Sequence, residues 1–473
     1  MKVAAVLLGP AGVGLIGLLQ SVMATTASVA ALGFSNAGTR QIADAAGRGD
    51  EAVVAAARRA LFWGTLILAS TGAIAVFHFR DMLATQLLND PGRGPEVGWL
   101  ALGVALTVAS GSQGALLNGL RRIGDLALVS VGSAILSTAI GIAALWFGRE
   151  RGLLLFVVAA PLATFLLGHW CVARAGRLRA PPTPLPELAA QWRALVKLGF
   201  AFMVSGLVVA LGQLAVRTMV QRELGGEALG HFQAAWIISM SYIGFVLGAM
   251  GADYFPRLTA VIDDHAAANR LVNEQTEIAL LLAGPVLLAM LGLAPWVISL
   301  LYSDAFAPAA EVLCWQILGD VLKVASWPLG FVILASGDGK TFILTETVSM
   351  TVFVALTWLL LPLVGVRATG LAFLCMYLSC LPVVYWLARR RVGFAWWPKV
   401  RLNLLLLLLA ASTVFFVSDK SPISGAIVGL VSSVLFAVFA VIRLATIADL
   451  TGPLGSVATN CKALLSRLHL FRK

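Results

Sequence analysis

The residues best placed to do chemistry in this 473-residue chain lie in one apolar stretch, Trp315–Gly330. Asp320 and Lys323 sit near the middle of an apolar run over 309–335, three residues apart and therefore on one helical face. Gln316 lies one turn before Asp320. A carboxylate can take up a proton or a small cation, an ammonium can hold an anion, and an amide can do either job weakly. A charge at the centre of a bilayer costs roughly 2.5–3.5 kcal/mol, so such groups face a bundle interior or a wet cavity. Two readings stand: a structural ion pair joining helices, or a site for a substrate or coupling cation. Pro328, one turn beyond Lys323, predicts a kink that frees backbone carbonyls nearby.

Other polar groups enter apolar runs more sparsely. Arg217 lies three residues before the outer end of its run, where it either snorkels to the surface or offers a guanidinium fork to a phosphate. Gln20, Gln113, Asn118, Gln213 and Gln233 are neutral; they bind hydroxyl-rich cargo or glue helices together. Together Asp320, Lys323, Gln316, Arg217, Gln213, Gln113 and Asn118 form the candidate substrate and cation pathway. His169 reads as interfacial, and Glu346 as a carboxylate complementing the start of a helix. Asp253 and Arg257 read as loop-packing residues.

The elements that must carry these groups follow from composition. Hydrophobic residues make up 59 %, charged residues 12 %, and mean hydropathy is +0.91. The charged fraction is about half that of a soluble protein, so the chain is polytopic in a membrane. Thirteen apolar runs are long enough, or nearly so, to span: 11–33, 60–77, 97–118, 126–147, 153–173, 198–220, 228–250, 278–302, 309–335, 342–364, 368–388, 402–417 and 424–442. They are apolar all round rather than alternating, which predicts helices and not a barrel.

Net charge is +11, but the basic residues follow the loops rather than forming a nucleic-acid face. One alternating set of loops carries 24 Lys and Arg, the other 7. The richer set is assigned to the cytoplasm, together with the C-terminus. That orientation leaves the first run starting outside. It predicts that a preceding helix is absent, with MKVAAVLL as its last turns.

A repeat organises the spans. LGPAGVG at Leu8–Gly14 returns as LGGEALG at Leu224–Gly230, 216 positions on. Gly33 and Gly251, and Asn118 and Ser336, are each 218 apart. The expected fold class is all-α and transmembrane, with two six-helix lobes from a parallel internal repeat and two C-terminal helices. The expected segments are an N-lobe over 1–176 with its first helix truncated, a basic Pro-rich cytoplasmic linker over 177–193, a C-lobe over 194–391, two further spans over 392–446, and an amphipathic cytoplasmic tail over 447–473.

No P-loop, HExxH or GxSxG occurs, and the longest outer loop, 78–96, carries its acids without tight pairing. Five scattered cysteines form no CxxC. An enzyme is not expected, nor a catalytic residue, a bound metal or another cofactor.

Several stretches carry a family resemblance: LLGPAGVGLIGLLQ, GTRQIA, AMGADYFPRLTAV, LVNEQTEIALLLAGP, SDAFAPAAEVLCWQILGDVLKVASWPLGFVILA and GKTFILTE. The chain resembles O-antigen translocases of the Wzx type, oligosaccharide-lipid flippases of the multidrug/oligosaccharidyl-lipid/polysaccharide exporter superfamily. The likeness covers residues 1 to about 391 and is sharpest at Tyr254–Leu258, Asn273–Glu277 and Trp315–Lys323. It implies transfer of an undecaprenyl-pyrophosphate-linked oligosaccharide, an O-antigen or related repeat unit, across a bacterial inner membrane by alternating access. It also implies possible coupling to H+ or Na+, and other polysaccharide-assembly proteins as possible partners. In the family the aspartate of GDVLKV is implicated in transport; here it is Asp320. Arg217 matches a basic position less securely. The alternatives are a cation-coupled drug or metabolite antiporter on the same fold and a lipid II flippase.

Overall fold

The computed structural model describes residues 1–48, 51–174 and 185–447. The expected linker over 177–184 and the expected amphipathic tail from 448 onward lie outside the described residues. Among the described residues the regular structure is helical throughout. The longer helices are α1 (Lys2–Ala30), α2 (Phe34–Gly47), α3 (Glu51–His78), α5 (Gly94–Gly119), α6 (Ile123–Gly148), α7 (Leu153–Arg174) and α8 (Leu185–Val261). They continue with α9 (His265–Leu301), α10 (Ala307–Ala335), α11 (Gly339–Val364), α12 (Arg367–Val392), α13 (Pro398–Lys420) and α14 (Pro422–Ile447); the single turn α4 covers Arg80–Leu83. Ten stretches of the described residues are long and apolar enough to cross a bilayer, and one of them, Ile123–Arg174, holds both α6 and α7. Helices are the forced answer there, because lipid offers no partner to a free N–H or C=O.

The runs at 198–220 and 228–250 share one helix, α8, rather than two separated ones, and residues 185–193 form its first turns. Asp253 and Arg257 are also on α8, not in a loop, and pair with each other at 2.9 Å across one turn. The backbone departs from helical geometry inside α8 at Gly225 (φ 84°, ψ −179°) and inside α1 at Gly9 (φ 66°, ψ −170°). That region is essentially restricted to glycine. Gly9 and Gly225 are the second residues of the two echoed motifs, so the echo encodes the same backbone break twice.

The chain divides into two compact units, Met1–Gln233 and Ala234–Lys473. Within the first, the two motifs meet backbone to backbone. A Cβ added to Gly14 would come 2.7 Å from the Gly226 carbonyl and the Gly230 nitrogen, and one added to Gly230 would collide with the Pro10 carbonyl. Positions 10 and 226 are equivalent in the echo, as are 14 and 230. The contact is therefore isologous: each motif touches the other at the same place.

Each unit has a core where several helix ends gather. In the first, Phe34, Ile42, Ala57, Ala60, Ala115 and Leu116 pack together. In the second, Tyr254, Leu258, Val272, Val332 and Ile333 do. Ile42 and Leu258 stand 216 positions apart, as do Leu116 and Val332.

The two C-terminal helices lie along α9. Gly292 is close enough to Gly425 and Gly429 that no side chain fits between, and Ser433 donates to the Pro285 carbonyl at 2.7 Å. Arg443 of α14 pairs with Glu277 of α9 at 2.6 Å, and Glu277 is buried. Asn269 and Asn273 hold the α12–α13 connection. Their amides donate to the carbonyls of Val392 and Ala395, and their oxygens accept from the backbone of Ala395 and Trp397. The NEQTE motif is thus an anchor for α13 and α14.

Candidate transport site

Asp320 is fully buried in the second unit. Its Oδ2 accepts hydrogen bonds from Ser239 Oγ and Tyr242 Oη of α8, each at 2.7 Å. Its Oδ1 has no hydrogen-bond partner among the described residues. Gln316, one turn earlier on α10, is equally buried, and neither its Oε1 nor its Nε2 has such a partner. A buried polar atom left unpaired costs on the order of 1–3 kcal/mol, so two side chains with three such atoms one turn apart are a costly feature to keep.

Lys323 forms no ion pair with Asp320: no oxygen of Asp320 lies within 4.0 Å of its Nζ. The ammonium points instead to Met240 Sδ at 3.4 Å and stands 5.9 Å from the centre of the Phe373 ring. Phe373 belongs to an aromatic group with Trp236, Phe353 and Tyr377. The charges of Asp320 and of half-buried Glu346 on α11 both act on Lys323. The structure therefore joins Asp320, Gln316 and Lys323 in one centre and adds Ser239, Tyr242 and Glu346 to it.

Glu346 does not complement a helix start, because it lies two turns inside α11. Asp338 does that work. It accepts from the Thr341 backbone at 3.0 Å and from the Thr341 hydroxyl at 2.6 Å, and also pairs with Arg391 of α12. The Thr341 hydroxyl, then the Thr341 N–H, then Arg391 hold the Asp338 carboxyl well below the usual carboxylate range.

Arg217 and Gln213 belong to the first unit. Arg217 is 5 % exposed, so it does not snorkel. Its Nε donates to Gln233 Oε1 at 3.1 Å, its Nη1 to the Gln213 carbonyl at 3.2 Å, and its guanidinium stands 5.7 Å from the Phe232 ring centre. Gln213 contributes its backbone, not its amide, to this contact. A side chain at Gly17 would strike the Gln233 amide, so α1 packs closely over the pair.

Gln113 lies elsewhere in the first unit. It lines a cleft of about 830 Å³ between α3, α5 and α7, and its Oε1 is buried without a hydrogen-bond partner among the described residues. Asn118 is exposed at the end of α5. His169 is exposed, stacked on Phe165 at 6.1 Å, and lines the same cleft as Gln113. Pro328 leaves α10 continuous, and its own carbonyl accepts from Tyr254 Oη at 3.0 Å.

Ser239 and Tyr242 were not singled out by sequence. Their only signal was polar side chains three apart on one face of an apolar run, a pattern that hydroxyl residues give in many spans.

Two discontinuous helices broken at glycine, long apolar spans and a buried carboxylate within them define a polytopic membrane protein. Its fold is shared with an inward-facing multidrug resistance MATE family transporter of the MOP superfamily, at TM-score 0.70 and 16 % identity over 83 % of this chain and 95 % of that one. It is likewise similar to the lipid II flippase MurJ in its inward closed conformation, at TM-score 0.65 and 10 % identity over 91 % and 97 %. The chain belongs to the polysaccharide biosynthesis protein family, whose model matches residues 1–261. It is 23 % identical over 406 residues to the lipid III flippase of Escherichia coli (strain K12), covering 82 % of this chain and 94 % of that protein.

Proposed function

We propose that the chain moves a polyprenyl-diphosphate-linked oligosaccharide from the inner to the outer leaflet of a bacterial inner membrane, and that a cation taken up at Asp320 drives the cycle. The observation that carries this reading is the buried Asp320 carboxylate, with one oxygen held by Ser239 and Tyr242 and the other facing no donor among the described residues. Its likeness to a lipid III flippase supports the cargo class. Uptake of H+ or Na+ at Oδ1 neutralises the carboxylate and leaves Lys323 and Glu346 as the charged groups of the centre. Loss of the cation restores the negative charge, which draws Lys323 away from Met240. Such a change in local charge biases two arrangements of the same helices, the requirement for alternating access. The duplicated architecture supplies two lobes for that motion, the second ending at Arg391.

The test is complementation. A strain lacking the gene should lose its surface polysaccharide, and the wild-type gene should restore it. Asp320→Asn, present in the membrane at wild-type level, should not restore it. Intact polysaccharide in the deletion strain together with altered drug tolerance would favour an antiporter and end the flippase reading. Normal export by Asp320→Asn would reduce Asp320 to a structural residue.

A further inference from the structure

The proposed cation step gives Gln316 no task, although the residue is wholly buried and neither its Oε1 nor its Nε2 has a hydrogen-bond partner among the described residues. Asp320, one turn on along α10, is equally buried, and its Oδ1 is unpaired in the same way. Residues four apart on a helix are neighbours, with Cβ atoms about 5–6 Å apart, so one ion between the two side chains can touch an oxygen of each.

Packing does not call for the amide. The repeat sets Leu100 of α5 against Gln316 and Val104 against Asp320, each 216 positions earlier and each wholly buried. In the first unit the same two slots therefore hold apolar side chains. In the second unit both are polar, and both keep an oxygen unpaired. A buried amide with nothing to bind is worse than a leucine of like size, because its polar atoms lose water and gain no partner. The two side chains read as ligands of one guest.

The chemistry of that guest follows from the atoms around it. Oδ1 is a carboxylate oxygen and Oε1 an amide oxygen. Ser239 Oγ and Tyr242 Oη each donate a proton to Oδ2 and keep oxygen lone pairs beside the same carboxylate. Oxygen ligands of these kinds suit a hard cation and not a soft metal. The Lys323 ammonium already acts on the carboxylate, a balance that favours one further positive charge over two. Among the described residues no three His, Cys, Asp or Glu side chains gather as a metal ion would need. A proton requires Oδ1 alone, whereas an alkali cation draws oxygen from several groups, as Na+ does among the carbonyls of other transporters.

We infer that Gln316 Oε1 and Asp320 Oδ1 together bind one Na+, and that Na+ rather than H+ is the ion taken up. The inference rests on the reading of Asp320 as the cation-uptake group and adds Gln316 as the residue that selects the ion.

The test uses the full chain purified in detergent at neutral pH, with radioactive Na+ as the probe. One Na+ should be retained per chain, displaced at least tenfold more effectively by unlabelled Na+ than by K+. Gln316→Leu, which copies α5, should keep its thermal transition and lower Na+ affinity at least tenfold; Gln316→Met serves the same purpose if the leucine variant does not fold. Asp320→Asn should abolish retention. Wild-type affinity in a folded Gln316 variant would overturn the inference, as would Na+ retention that survives Asp320→Asn. Absence of Na+ binding by the wild type needs no variant and would also overturn it. Export driven by a proton gradient and lost in Asp320→Asn would in that case leave the cation reading of Asp320 standing with H+. Normal export by Asp320→Asn would instead remove that reading itself, and the inference with it.

Discussion

Helices α5 and α10 occupy matching places in the two units and differ in one decisive side chain. Gly103 and Gly319 stand 216 positions apart and are each pressed against a neighbouring helix. A Cβ on Gly103 would meet Met23 of α1 and come 3.5 Å from Val158 of α7. One on Gly319 would lie 2.7 Å from Phe373 and 3.2 Å from Leu374 of α12. Val158 and Leu374 are again 216 apart, so the same glycine packs against the same repeat position in both units. The next residue is Val104 in α5 and Asp320 in α10, and each is wholly buried. The partners differ accordingly. Ser239 and Tyr242, which hold Asp320, align with Met23 and Thr26, and Thr26 spends its hydroxyl on the Val22 carbonyl of its own helix. The packing of α5 shows that this slot is filled well by an apolar residue, so the charge in α10 is not a packing requirement. This contrast is the physical ground on which we propose Asp320 as the working group.

The comparison can be broken by making α10 resemble α5. Asp320→Val should leave the protein folded, with a thermal transition in detergent at or above that of the wild type, since replacing buried charge by a fitted apolar group is often neutral or stabilising. Polysaccharide export should fall by more than a hundredfold, read in the complemented deletion strain. A variant that exports normally would show that the slot needs no charge. The reverse exchange, Val104→Asp, buries a carboxylate where the repeat counterparts of Ser239 and Tyr242 are Met23 and Thr26, the latter already bonded to the Val22 carbonyl. It should destabilise by roughly 2.5–3.5 kcal/mol, seen as loss of folded protein on extraction. Adding Met23→Ser should recover part of that loss; no recovery would mean that α5 and α10 are not equivalent environments.

Finer changes sharpen the same contrast. Ser239→Ala and Tyr242→Phe each remove one donor to Asp320 and should each change the cation affinity of the centre by about fivefold, on the order of 1 kcal/mol per hydrogen bond. The readout is the shift in the pH or Na+ midpoint of transport in vesicles, and the same two changes should not alter protein yield. The smallest effect concerns Asp338. Its carboxyl is held below its unfolded value of about 3.9, so its contribution to folding is present above that pH and is lost only as pH falls through the lower folded value. Hydrogen exchange at Thr341, corrected for intrinsic rate, should therefore be unchanged between pH 7 and pH 4, whereas Asp338→Asn should raise it at both. Loosening of the wild type by pH 4 would show that Thr341 and Arg391 do not hold the carboxylate as the geometry implies.

How far the sequence could be read depended on the range of the interaction. Eleven of the thirteen apolar runs fall wholly within a helix, and 11–33 and 278–302 overrun the ends of α1 and α9 by three residues and by one, because in lipid a run of that length has no other way to satisfy its backbone. The break at Gly225 did not divide its two runs into separate helices, since a single residue in the glycine-only region interrupts the geometry without adding a loop. Glu346 was misjudged for a local reason: Asp338 starts the helix two turns earlier. Arg217 was placed by its distance from the end of the run, but Gln233, sixteen residues on, buries it. Lys323 was visible as a charge beside Asp320, yet its neighbour is Met240, which no spacing on α10 could indicate.

The sequence by itself determined that this chain is a bundle of membrane helices, that its LG-x-x-x-x-G motif occurs twice, and that charge enters the apolar spans at Asp320 and Lys323. Those are one-dimensional properties: hydropathy, repetition and composition survive without knowledge of neighbours. Only the tertiary structure decided that the two motifs touch each other, that Ser239 and Tyr242 hold one oxygen of Asp320 while the other stays unpaired, and that Gln113 and His169 share a cleft. Each of those depends on which faces of separate helices meet. Apolar spans leave that choice to close packing among small residues, a signal spread thinly over many positions.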